Sequence, residues 1–303
     1  MRSFARVMLA VAAGVFVVSA QTAGAAPAAP GSPGRVPAAA DEPAGVLAPE
    51  AELADANTGA VKWSRRADTR APIGSIVKVM TALVVLESGD LDRPVTIPQA
   101  VVGYDRKYDG STAGLVPGEV LTARQLLYAM LIPSGCDAAY ALAEAFGPGQ
   151  AGFLAKMNAT AQRLGMTGTH FTDPSGLPAP TGTSTYSTPA DLVKLGRHAM
   201  TLPAFRDIVR LQTFHQPAGP AHRDHVWNTT NLLLRDYPGT MGIKTGSTDA
   251  AGTCLLFEAS RAGQPLIGVV LHSDPVNDAA AENDARHLLD WGFGPVLSLL
   301  PIG

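Results

Sequence analysis

The chain has little of what most often specialises a protein. Cysteine is scarce, with only Cys136 and Cys254 in 303 residues. Two thiols exclude a disulfide scaffold, and we expect both to be buried and free. Charge is scarce too, at 16%, against ~25% in an average globular chain. The 23 Lys and Arg against 26 Asp and Glu give a net charge of −3, which leaves no basic surface for nucleic acid. The longest uncharged apolar run near the start covers residues 7–20, short of the ~20 residues a spanning helix needs. Two catalytic signatures are missing. No Gly-x-Ser-x-Gly elbow and no His-Glu-x-x-His pair occurs. The cluster His215, His222, Asp224 and His225 therefore reads as polar residues on an exposed loop before Trp227, not as a zinc site.

Arg2 and Arg6 precede that apolar run, and Ala23-Gly24-Ala25 follows it with small residues. Residues 1–25 thus read as a secretory signal, and the mature protein is expected outside the cytoplasm. Residues 26–49 are rich in Ala, Pro and Gly without periodicity and read as a linker. Residues 50–303 read as one catalytic unit. After Trp291 a short apolar tail remains, expected to pack on the sheet or touch a membrane surface.

Local patterns divide that unit. Asn57-Thr58-Gly59 between residues 51–55 and 60–64 is a hairpin signal. Residues 75–87 are apolar nearly all round, which predicts a buried central helix starting at Ser75. Thr122-Ala123-Arg124-Gln125 is a capping box, and Pro133-Ser134-Gly135 breaks the helix it starts. Helices are predicted over residues 137–146 and 152–164, with further starts at Thr188-Pro189 and Pro203. Strands are predicted over residues 239–245, 252–259 and 265–272, then a helix over 277–291. Strands at both ends and helices between imply an α+β fold. The sheet lobe would span about 50–90 and 238–303, the inserted all-helical lobe about 91–237, with a cleft between them.

Three short motifs carry chemistry: Ser75-Ile76-Val77-Lys78, Ser134-Gly135-Cys136 and Lys244-Thr245-Gly246. A serine hydroxyl is a poor nucleophile without a base in reach. Positions i and i+3 share a helix face, so Lys78 can reach Ser75. Lys78 stands among Val77, Val79, Met80 and Ala82, where a solvated lysine is out of place. A lysine serves as a base where its pKa falls, which burial and a second ammonium favour. Lys244 would supply that second charge. The start of the helix offers a positive end beside Ser75 for a developing oxyanion.

Ser-x-x-Lys followed by Lys-Thr-Gly is a signature of penicillin-binding proteins and related β-lactamases. With Met80-Thr81-Ala82-Leu83, Asp173-Pro174-Ser175-Gly176-Leu177, residues 228–233 and Gly242-Ile243-Lys244-Thr245-Gly246, the chain resembles the D-alanyl-D-alanine carboxypeptidases among the low-molecular-mass penicillin-binding proteins. The resemblance runs from about residue 50 to 295. It implies an antiparallel sheet flanked by helices and no cofactor. It implies Ser75 as acylated nucleophile, Lys78 as base and Ser134 as proton relay to the leaving amine. Lys244, Thr245 and Gly246 would bind the substrate carboxylate, and the amides of Ser75 and Ser247 would form the oxyanion hole. The implied partners are peptidoglycan stem peptides ending in D-Ala-D-Ala, with β-lactams as covalent inhibitors. Cys136 departs from the usual Asn of the second motif. A thiol is a weak donor where an amide offers two donors and an acceptor. That departure resembles a DD-transpeptidase subgroup and sets hydrolysis in doubt more than acylation. A β-lactamase would need a Glu for deacylation, and between Ser134 and Lys244 only Glu144 occurs. A wall-binding module that has lost turnover is the reading of a different class.

Overall fold

The computed structural model describes residues 42–277 and 279–294. The expected signal, most of the linker and the tail beyond Gly294 lie outside the described residues.

Among the described residues nine strands and nine helices follow one another. β1 (Glu50–Asp55) and β2 (Val61–Arg65) form the predicted hairpin. A 3₁₀ turn, Gly74–Ile76, runs into α1 (Val77–Ser88). β3 (Pro94–Thr96), α2 (Ala100–Tyr108), β4 (Val120–Thr122), α3 (Ala123–Leu131), α4 (Cys136–Phe146) and α5 (Gly149–Arg163) come next. Then follow α6 (Pro189–Ala199), α7 (Pro203–Val209), β5 (Thr213–Gln216), β6 (His225–Asn228) and α8 (Leu233–Asp236). β7 (Thr240–Thr248), β8 (Gly252–Arg261), β9 (Gln264–Leu271) and α9 (Ala279–Phe293) complete the unit.

The main sheet is antiparallel, in the order β2-β1-β9-β8-β7. Both of its faces are covered. Leu255, Phe257, Leu266 and Val270 face one apolar cluster, with Leu288 and Leu289 of α9. Leu256, Ile267 and Val269 face the other, with α1 and α6. Double coverage is why β9 reads from Leu266 to Leu271 as a run without a polar side chain instead of an alternating one. α1 is buried from Val77 to Val85 and packs on α3, α4, α5, α6 and α7, as its all-round apolar sequence requires. The Thr122 capping box forms, and the Thr188 hydroxyl caps α6 by accepting from the Asp191 amide.

Three expectations need correction. The inserted lobe is not all-helical: β3 pairs with β4 and β5 with β6 as small antiparallel ribbons. Three- and four-residue strands are too short to leave a periodic signal. Next, α6 arises from the inserted segment but lies on β1, β8 and β9. Lastly, residues 42–49 are folded, not linker. Val46 and Ala48 are buried, and the Leu47 and Ala48 amides donate to the Asp284 carboxylate on α9 at 2.7 and 2.8 Å. The Arg65 guanidinium donates to the carbonyls of Val46 and Ala48. Asp284→Ala should strand those two amides and cost about 2 kcal/mol, read as a lowered thermal midpoint with the fold otherwise unchanged. A midpoint equal to that of the unaltered protein would show that the clasp is idle.

Candidate active site

The site forms where α1, the α3–α4 turn, β7 and the segment before α6 meet. Ser75 sits in the 3₁₀ turn and is half-buried; Lys78, one turn on, is fully buried. Lys78 Nζ donates to Ser75 Oγ at 2.7 Å and to the Ser175 carbonyl at 3.0 Å. It also lies 3.4 Å from Cys136 Sγ. The helical spacing of the first motif thus delivers the predicted pair, and the second motif reaches it through its third residue.

Ser134 occupies the turn between α3 and α4, buried, with φ +67°. A non-glycine residue in the left-handed region is strained and clusters at sites of function. Among the described residues its hydroxyl makes no hydrogen bond to Ser75, Lys78 or Lys244. Cys136 opens α4 and is 1% exposed, and Cys254 is buried on β8; both thiols are free.

β7 brings the third motif. Lys244 is buried, with Nζ donating to the Thr245 carbonyl at 3.1 Å and lying 3.4 Å from Thr245 Oγ1. Burial first, and then the Lys78 charge, holds the Lys244 ammonium well below the ordinary lysine range. Thr245 Oγ1 and Thr230 Oγ1 are 2.6 Å apart. Gly246 lets β7 lie against the nucleophile turn, since a Cβ there would stand 2.4 Å from the Ile73 carbonyl. Ser247 follows, exposed, with its amide against Gly74.

The residues 173–177 close the site from a fourth side. Asp173 Oδ1 accepts the amides of Ser175, Gly176 and Leu177 at 2.8, 2.8 and 3.0 Å. This tight carboxylate-centred turn aims the Ser175 carbonyl at Lys78. Gly176 has φ +88°, and a Cβ on it would stand 2.0 Å from the Gly74 carbonyl. The turn thus braces the nucleophile's backbone as well.

Sequence reasoning quoted this stretch without assigning it a role. An Asp followed by Ser-Gly is a turn signal, but no spacing rule links it to Lys78. Tyr104 and Asp105 carry no signal in the sequence, and Thr230 lies in the stretch 228–233 of the resemblance without a role of its own. Asp105, on α2, has its carboxyl pushed up to about 7, by burial first and Asp137 second, against the pull of Lys78. The polar cluster also differs from expectation. His215 and His225 lie on the β5–β6 ribbon, and His225 is buried, 3.2 Å from Glu119. Among the described residues no group of three His, Cys, Asp or Glu side chains is placed to hold a metal ion.

Comparisons agree with this geometry. The profile of the family described as D-alanyl-D-alanine carboxypeptidase matches residues 37–275. A D-alanyl-D-alanine carboxypeptidase of Streptomyces sp. (strain K15) is 40% identical over 248 residues, 78% of this chain and 84% of that one. One from Mycobacterium tuberculosis is 39% identical over 246 residues, 80% of each chain. The crystal structure of the Streptomyces K15 DD-transpeptidase superposes with a TM-score of 0.77 at 38% identity, covering 82% of this chain and 97% of that one. With its folded unit, its three motifs and the profile match in accord, the chain belongs to the D-alanyl-D-alanine carboxypeptidase family of serine peptidases.

Proposed function

We propose that the protein is a serine-type D-Ala-D-Ala carboxypeptidase and transpeptidase acting on peptidoglycan stem peptides, with Ser75 as its nucleophile. The single observation that carries the assignment is the 2.7 Å approach of the fully buried Lys78 Nζ to Ser75 Oγ.

In this reading the neutral Lys78 amine takes the Ser75 hydroxyl proton as Oγ attacks the carbonyl between the two D-Ala residues. The amides of Ser75 and Ser247 receive the oxyanion. As the C–N bond breaks, the Ser134 hydroxyl takes that proton from Lys78 and passes its own to the departing D-Ala amine. Lys244, Thr245 and Gly246 hold the terminal carboxylate, and the Thr230 hydroxyl extends that donor set. Lys244 is the group best suited to sense an anion, because burial and a neighbouring charge disfavour its ammonium. A bound carboxylate would favour charge on Lys244. Water or the amine of a second stem completes the cycle. A β-lactam follows the same acylation and leaves slowly.

We further propose that the protein is exported. The run at residues 7–20 with Arg2 and Arg6 supports export. Among the described residues no helix is long and apolar enough to cross a membrane.

The test is intact-protein mass after incubation with benzylpenicillin, followed by peptide mapping. A persistent adduct on the peptide carrying Ser75 is expected. An unmodified protein with the penicillin hydrolysed would point to a β-lactamase. An unmodified protein with the penicillin intact would point to the inactive binding module.

Cys136 bears on the fate of the acyl-enzyme. Its thiol sits 3.4 Å from Lys78 Nζ, and sulfur is a poor acceptor there. Cys136→Asn places an amide oxygen on the lysine and an amide donor toward the substrate. Hydrolytic release of D-Ala from a stem peptide should rise about tenfold, the worth of one hydrogen bond to a charged group. An unchanged release rate would make the thiol a neutral substitution.

A further inference from the structure

α2 left no signal in the sequence, and one of its inward polar groups, Tyr104, has a partner set that calls for explanation. The Tyr104 hydroxyl lies 2.6 Å from Asp173 Oδ2 and 2.6 Å from Ser175 Oγ. Ser175 Oγ in turn lies 2.8 Å from Asp173 Oδ1. Two hydroxyl protons therefore serve three short contacts. Asp173 Oδ1 already accepts three backbone amides. Tyr104 donates to the free Oδ2, and Ser175 donates back to Tyr104 or to Asp173. The phenol stays protonated at every working pH, because burial first and the Asp173 charge second push its pKa well above 10. Its ring is held by a tilted contact with Tyr140 of α4, centroids 4.8 Å apart.

Three further contacts of this turn lead to the reacting pair. The Ser175 carbonyl accepts from Lys78 Nζ at 3.0 Å. The Pro174 carbonyl accepts from Thr81 Oγ1, one turn beyond Lys78 on α1. Gly176 lies against the Gly74 carbonyl, immediately before Ser75.

We propose that Tyr104 is a positioning residue for acylation: its hydroxyl fixes the turn at residues 173–177, whose Ser175 carbonyl holds the Lys78 amine in register with Ser75. This rests on the reading of Lys78 as the base. A neutral amine has two hydrogens and one lone pair. An acceptor fixed on one hydrogen turns the lone pair toward the Ser75 hydroxyl. Cys136 Sγ is the other near neighbour and is too weak an acceptor to do this alone. The carbonyl carries the task, so whatever steadies it sets the rate.

The experiment is acylation by benzylpenicillin followed over a concentration series, with rates expressed per active site and thermal midpoints measured alongside. Tyr104→Phe keeps the ring and removes the hydroxyl. Its limiting acylation rate should fall about tenfold, within the range that small misplacements of reacting groups cost, while the half-saturating concentration stays within about twofold. Ser175→Ala keeps the carbonyl and loses the shared hydroxyl; a smaller fall, about threefold, is expected. The double variant should be no slower than Tyr104→Phe alone, because both changes break one linked contact. An unchanged limiting rate in Tyr104→Phe, or single effects that multiply in the double variant, would overturn the proposal. So would a loss confined to thermal stability. If Tyr104→Phe does not fold, an unchanged rate in Ser175→Ala alone overturns it. Mapping the adduct of the unaltered protein keeps the two readings apart. An adduct away from Ser75 overturns the assignment of the base, and this proposal with it.

Discussion

Lys78→Ala should lower benzylpenicillin acylation at neutral pH by about 10³-fold or more, at the upper end of what a general base contributes. No other amine, imidazole or carboxylate lies within hydrogen-bond reach of Ser75 Oγ among the described residues. The variant should fold, because it removes a buried amine from α1, where the neighbouring side chains are apolar. Lys78→Arg separates charge from basicity. A guanidinium keeps the positive charge and cannot take a proton. If the lysine merely neutralised an oxyanion, the arginine would restore much of the rate. If it acts as base, both variants should be equally slow. Acylation of Lys78→Ala within tenfold of the unaltered protein would remove Lys78 from its role.

Gly176→Ala should be nearly as damaging without touching a reacting group. Its Cβ would stand 2.0 Å from the Gly74 carbonyl and 3.1 Å from the Ser75 amide, on a backbone at φ +88°. Neither partner is the flexible end of a side chain, so backbone must move. The left-handed conformation costs a non-glycine residue about 1–2 kcal/mol before any clash is counted. Displacing the nucleophile turn by even 1 Å can cost about 10²-fold in rate. The limiting acylation rate should fall by about that factor, with a lower thermal midpoint. A variant that acylates at the ordinary rate would show that the turn and the nucleophile move independently. Substituting Gly165 gives the contrast: it is also left-handed, at φ +68°, but nothing lies within 4 Å of its Cβ position.

What the sequence disclosed follows from the range over which each signal acts. The β1–β2 hairpin, the Thr122 capping box and the start of α6 are each set within a few residues, and all three stand where their patterns place them. Ser75 and Lys78 meet because three residues on a helix is a fixed geometry. The approach of Lys244 to that pair has no local cause. It depends on β7 pairing with β8 and on Gly246 admitting the Ile73 carbonyl, so only the resemblance to a family could suggest it. α2 goes unpredicted because Val101 is its one buried residue. A helix with so narrow an apolar face leaves little periodicity to read. Tyr104 was lost with it, although its hydroxyl stands one residue away from the base. Residues 42–49 were misjudged for the opposite reason. Their composition is that of a linker, and their order comes from one carboxylate, Asp284, far along the chain.

β7 has a paired strand on one side only, since the sheet order ends with it. An unpaired edge is ordinarily a liability, because its free amides and carbonyls can recruit any passing strand. Here the edge carries Lys244, Thr245 and Ser247, beside the nucleophile turn. An extended peptide laid along it would gain main-chain hydrogen bonds whatever its side chains, and would be steered by the cleft to place one bond over Ser75. Such an edge would act as a ruler, measuring distance from a chain terminus and leaving the identity of the residues upstream largely unread.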